Sequence, residues 1–178
     1  MKKLFIISIF ALLSVAASAQ LIRGNKPYSS ISSKEGYITI NEFNYGIGLG
    51  GHTTPFSEQF IGITSVHGYQ VNAIFMIGGG TGVLIYNDGL MIPLFVDMRV
   101  RFPINEFTPY VSAEGGMLIN PSDINTNSRM FINPAAGVRY TLNSKMAFTL
   151  SGGLWIQMGA NVSRASFVNI KGGIVYKF

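Results

Sequence analysis

The chain has no cysteine. Neither a disulfide framework nor a lipid-modified N-terminal cysteine is open to it. Charge is scarce too: 12% of its 178 residues are Asp, Glu, Lys or Arg, against about 25% in ordinary soluble domains. Lysines and arginines nowhere cluster, so the footprint of a nucleic-acid-binding protein is missing. Histidines number two, His52 and His67. Without thiols, and with the carboxylates assigned elsewhere below, no metal or cofactor site is expected. Beyond the N-terminal segment no stretch approaches the ~20 apolar residues of a membrane-spanning helix. The chain therefore holds to a membrane by strands or not at all. What is present is glycine, 21 residues of it, and a hydrophobic share of 48% broken into short segments.

Residues 1–19 read MKKLFIISIFALLSVAASA. Lys2 and Lys3 make a positive start, Leu4 to Val15 is almost wholly apolar, and Ala17-Ser18-Ala19 is an A-x-A cleavage site. This is the pattern of a secretory signal peptide, cut before Gln20. Its removal leaves 11 basic against 8 acidic residues, so the formal charge of +5 overstates the mature protein. Residues 20–36 are polar and rich in serine, and read as a flexible lead-in on the periplasmic side. The barrel-forming region is expected at 37–178.

The last twelve residues, Phe167 to Phe178, carry the clearest alternation. Val168, Ile170, Gly172, Ile174, Tyr176 and Phe178 are apolar or small. The residues between them include Asn169, Lys171 and Lys177. Side chains of a strand alternate between its two faces, so one face is greasy and the other wet. Seven earlier segments repeat the pattern, beginning near Tyr37, Gln59, Ile74, Leu94, Thr108, Arg129 and Met146. Asn87-Asp88-Gly89 is a hairpin signal. The third segment holds Gly78, Gly79, Gly80 and Gly82, where glycine allows curvature and close packing. Turns at Asn72, Asn105 and Ser144 alternate with loops near His52, Asp88, Asp123 and Asn161, and Gly159 to Arg164 is read as the last loop. Eight segments of roughly ten residues or more fit the ~9–11 residues of a tilted membrane strand. An even number of strands with alternating short and longer connections is the layout of an outer-membrane barrel. The fold class is thus all-β: an eight-stranded antiparallel up-and-down transmembrane β-barrel. Tyr37, Tyr69, Phe75, Phe102, Tyr140, Tyr176 and Phe178 fall near strand ends, where an aromatic girdle belongs.

The signal ending SAQ, the NYGIGLG strand, SVHGYQVN, the glycine-rich third strand and the terminal IVYKF resemble small outer-membrane barrels of Bacteroidetes-type bacteria. More broadly, residues 37–178 are similar to the OmpA/OmpX-like eight-stranded family. The resemblance implies outer-membrane localisation, with lipid and lipopolysaccharide as surroundings. It also implies that Ile174, Tyr176 and Phe178 form a C-terminal signal read by the barrel assembly machinery. It names no catalytic motif, and a monomer is expected.

The alternation sends Glu42, Asp97, Glu114, Arg99, Arg101, Arg139 and Lys171 inward. An eight-stranded barrel is just wide enough inside for side chains to fill it. Buried charges are costly unless paired, so these seven are expected to form a salt-bridged plug, with a narrow ion pathway as the alternative. Ser65 and His67 share the outward face of the second strand, but no outward carboxylate accompanies them, so a nucleophile–base–orienter set is incomplete. The GGGTG run lacks the lysine and helix of a phosphate loop. Asn161-Val162-Ser163 matches a glycosylation acceptor by accident. The sequence therefore points to a non-enzymatic structural or surface-interacting barrel. A small pore or hydrophobic-ligand transporter is the alternative, and a membrane enzyme modifying lipid A the third reading.

Overall fold

The computed structural model describes residues 35–50, 56–102, 107–122, 128–159 and 162–178. The expected signal peptide, nearly all of the expected lead-in, and His52, Asn105, Asp123 and Asn161 lie outside them. Eight strands follow one another: β1 (Gly36–Gly48), β2 (Gln59–Gln70), β3 (Phe75–Tyr86), β4 (Gly89–Arg101), β5 (Phe107–Ile119), β6 (Arg129–Thr141), β7 (Met146–Gly159) and β8 (Val162–Lys177). Each pairs antiparallel with the next, and β8 returns to β1 to close the barrel. Closure leaves no unpaired edge, the condition for a sheet to sit in hydrocarbon.

The register fixes the size of the cylinder. From Gly36, ladder partners run through Gln70, Met76, Arg99, Ser112, Ala135, Gly153 and Asn169 back to β1 at Gly46. That is ten residues further along the same strand. The stagger tilts every strand, and with eight strands it sets a bore that side chains can fill. The start of β1 and the end of β8 lie at one end, with the turns at Asn72 and Ser144. The other end carries the Asn87-Asp88 turn, where Tyr86 pairs with Gly89 and Gly89 supplies the positive φ of 143°.

Alternation decides the two faces. Phe43, Tyr45, Ile47, Ile61, Ile63, Val83, Ile85, Leu94, Val96, Phe148, Leu150 and Ile170 are exposed on the outside. Glu42, Asn44, Phe60, Phe95, Asp97, Glu114, Trp155, Phe167 and Lys171 are buried inside. The molecule is thus apolar outside and mixed within, the reverse of a water-soluble barrel. Two glycines belong to this filling. A Cβ on Gly46 would come within 2.2 Å of the Phe60 ring, and one on Gly80 within 2.4 Å of the Phe95 ring. Each glycine leaves space for an aromatic that fills the bore.

Three details differ from the sequence reading. The alternation of the seventh segment puts Ile156 outward with Phe148, Leu150 and Leu154. It keeps that phase, between exposed Leu154 and Met158, yet is only 8% exposed; it adjoins the register shift at Gln157/Gly159, and such shifts strengthen local twist. The last loop is shorter than Gly159 to Arg164, because the β7–β8 ladder continues to a Gly159–Val162 pair. Among the described residues most of the outward aromatics gather at the terminal end. Tyr37, Tyr69, Phe107, Tyr140, Tyr176 and Phe178 ring the terminal end, with ring contacts such as Tyr37–Phe178 at 5.4 Å and Phe107–Tyr140 at 4.8 Å. Outward positions nearest the opposite end are Leu49, Ile85, Leu90, Met130 and Met158.

Candidate functional site

The bore is the place where function can be read, and it is layered. At mid-depth, β4 and β5 place Asp97 directly opposite Glu114. Like charges in opposed ladder positions repel, so cations must stand between them. Arg99, two residues along β4, donates from Nε to Asp97 Oδ2 at 2.8 Å. Its two terminal nitrogens also grip Glu42 on β1, at 2.9 and 3.0 Å. This planar fork is the geometry that a guanidinium offers a carboxylate. Lys171 of β8 donates to Glu114 and lies 3.4 Å from Glu42 Oε2. Arg99 comes within 3.8 Å of Glu114, and Asn133 of β6 donates to its other oxygen at 2.9 Å. Five strands thus meet in one hydrogen-bonded cluster across the lumen.

Of the seven charged residues expected inside, five join this cluster: Glu42, Asp97, Arg99, Glu114 and Lys171. Arg101 and Arg139 are buried in the bore, but among the described residues neither is ion-paired with a carboxylate. Phase decides which side of the sheet a residue takes. Its depth comes from strand tilt and stagger, and these carry both arginines toward the terminal end. There Arg101 donates to the Asn72 carbonyl at 3.4 Å. Both arginines line a cavity of about 10 Å³ with Ile38, Met76, Tyr110 and Thr149; it has room for about one water.

A second barrier closes the opposite end. Phe60, Tyr86, Phe131, Trp155 and Phe167 form a buried aromatic cluster, with Trp155 stacked on Phe131 at 4.1 Å between centroids. Phe56, from the β1–β2 connection, folds down onto Tyr86, with ring centroids 5.5 Å apart. Its amide N–H donates to Asp88 at 2.7 Å, and its carbonyl accepts from Gln157 Nε2 at 2.6 Å. The Arg129 guanidinium covers the ring at 5.2 Å. Phe56 adopts φ of 59°, a costly conformation for a bulky residue that persists only where its surroundings hold it. The sequence reading treated this stretch as an ordinary loop. The available signal was a phenylalanine, the one aromatic in HTTPFSE.

Neither a protein-family model nor a curated protein matches the chain. Solved structures do. Neisserial surface protein A superposes with a TM-score of 0.63 at 11% identity, over 82% of this chain and 99% of that one. The fold is that of the small outer-membrane barrels. The N-terminal barrel domain of Pseudomonas aeruginosa OprF matches with a TM-score of 0.52 at 16% identity, over 80% of this chain and all of that one. OprG from Pseudomonas aeruginosa gives 0.51 at 12%, over 83% and 99%. At these identities the likeness is one of fold.

On such a barrel the apolar outer surface faces lipid, and one polar patch on it stands out. Ser65 Oγ lies 3.2 Å from His67 Nε2, and the Tyr37 hydroxyl lies 2.8 Å from His67 Nδ1. Thr39 is 3.4 Å from the same nitrogen. A hydroxyl, an imidazole and a second hydroxyl are in line, but the third group is a phenol where a carboxylate would stabilise imidazolium. Every outward position of β1 to β3 lacks an acid. The backbone N–H groups around Ser65 belong to a ladder paired on both sides. The patch thus gives His67 hydrogen-bond partners on both ring nitrogens. Among the described residues no group of three or more His, Cys, Asp or Glu is placed to hold a metal ion.

Proposed function

We propose that the protein is exported by its N-terminal signal and resides in a bacterial outer membrane as a sealed, non-enzymatic barrel. It contributes to the envelope by its presence and its surface contacts, not by passage of solutes. The observation that carries this reading is the doubly blocked bore, with the Arg99 cluster at mid-depth and the Phe56-capped aromatics toward one end. Lipid and lipopolysaccharide are its surroundings. Ile174, Tyr176 and Phe178 are its handle for the assembly machinery; they lie on the outward face of the closing strand, and Phe178 is 72% exposed.

Planar-bilayer recording on the purified barrel is the test. Absence of discrete conductance steps is expected. Large, stable steps would overturn the sealed-bore reading and favour the pore. Heated and unheated samples of the outer-membrane fraction, compared on a detergent gel, check the address: a mobility shift on heating is expected.

A further inference from the structure

The polar groups on the lipid-facing wall extend beyond His67. Asn41, Ser65 and Thr81 occupy one continuous cross-strand row, Asn41 paired with Ser65 and Ser65 with Thr81. Each stands at the middle of its own strand. Mid-strand is where a spanning barrel meets the depth of the bilayer, farthest from headgroups and water. Comparable mid-strand positions around the rest of the wall are apolar or glycine: Val96, Ala113, Ala136, Gly152, Gly172. The polarity is thus confined to the β1–β3 side.

Ser65 shares its hydrogen bond with His67. The Asn41 amide and the Thr81 hydroxyl are exposed and meet no partner among the described residues. An amide with nothing to bond in hydrocarbon is costly. Such groups in membrane proteins face another protein surface, and small residues beside them let backbones approach. Gly79, next to Thr81 on the same face, provides that notch: a Cβ there would meet only the Phe95 carbonyl, at 4.0 Å.

We propose that this wall is a two-fold interface between two copies of the chain within the membrane. The occupant follows from the chemistry of the row. A carboxamide and hydroxyls each donate and accept, so the row is complementary to itself, as an isologous interface requires. A lipid acyl chain offers no such groups. For two copies inserted in the same direction, the symmetry axis runs along the membrane normal. Ser65, at the centre of the row, then lies nearest the axis and faces its own copy, with Asn41 and Thr81 to either side at different depths because the strands are tilted.

Because the chain has no cysteine, single-cysteine crosslinking in native outer membranes reads the interface directly. Ser65→Cys, oxidised with copper phenanthroline, is expected to give a covalent dimer, at least about tenfold more than Gly152→Cys on the far wall. Adding Asn41→Leu to Ser65→Cys is expected to lower the dimer yield about three- to tenfold, while the heat-dependent gel shift shows that the barrel still folds. Equal yields from Ser65→Cys and Gly152→Cys, or no dimer from folded Ser65→Cys, would overturn the proposal. So would crosslinking of Ser65→Cys to a band of a different protein, or a dimer yield unmoved by Asn41→Leu.

Discussion

Arg99 and Glu42, 57 residues apart in the chain, are joined by two parallel hydrogen bonds of 2.9 and 3.0 Å across the bore. The guanidinium simultaneously holds Asp97, so one side chain ties β4 to β1 and neutralises an acid on its own strand. A buried ion pair is poor evidence of net stability, because desolvation offsets attraction, but removing one partner strands the other charge.

Arg99→Met is therefore expected to destabilise the barrel by about 3–5 kcal/mol. Urea unfolding followed by Trp155 fluorescence measures it. Arg99→Met combined with Glu42→Gln is expected to recover part of the loss, because the stranded carboxylate is gone. A double variant as unstable as the sum of the singles would mean that the two residues are not coupled.

The two barriers in the bore act in series. Phe56→Ala removes the aromatic cap, yet the mid-depth cluster still closes the lumen. The single variant is expected to stay electrically silent in planar bilayers. Arg99→Ala with Lys171→Ala, if a heat-modifiable gel band first shows that it folds, is likewise expected to stay silent, because the buried aromatics around Trp155 still fill the bore. Current through Phe56→Ala alone would place the only effective barrier at the mouth.

Gly80 and Gly152 separate glycines that packing demands from those it does not. A Cβ at Gly80 would lie 2.4 Å from the Phe95 ring, whereas one at Gly152 meets nothing within 4 Å. Gly80→Ala is expected to cost about 1–3 kcal/mol by overpacking, with relief from Phe95→Leu. Gly152→Ala is expected to be near neutral in the same urea titration.

Phe178 contacts Tyr37 and Tyr176 at the terminal end, at 5.4 and 4.9 Å between ring centroids, and is otherwise exposed. Phe178→Ala is expected to leave unassisted folding into detergent nearly unchanged and to reduce the heat-modifiable form in cells severalfold. Fractionation with gel analysis measures both. Equal losses in detergent and in cells would make Phe178 a folding residue and not an assembly signal.

Much of the architecture was legible from the amino-acid order. Alternation has a period of two, and the two faces of a strand are set by that parity alone. Leu94, Val96 and Met98 therefore separate from Phe95, Asp97 and Arg99 without knowledge of any partner strand. The same parity put Glu42, Glu114 and Lys171 in the bore, and Ser65 with His67 outside it. Low charge, abundant glycine and the missing apolar helix completed the case for a closed sheet in lipid.

Depth was not legible. Whether an inward arginine meets an acid depends on how far along the barrel axis each has been carried. That distance is the product of strand tilt and a ten-residue stagger accumulated over eight pairings. Arg99 and Arg101 are indistinguishable by parity, yet one binds two carboxylates and the other bonds a turn carbonyl. Arg99 reaches Glu42, and Phe56 reaches Gln157, for the same reason: each contact crosses a bore that only closure forms. Sequence by itself determined which side of the wall each residue occupies, because parity is local. The tertiary structure alone decided which residues meet, because register, tilt and closure belong to the whole cylinder.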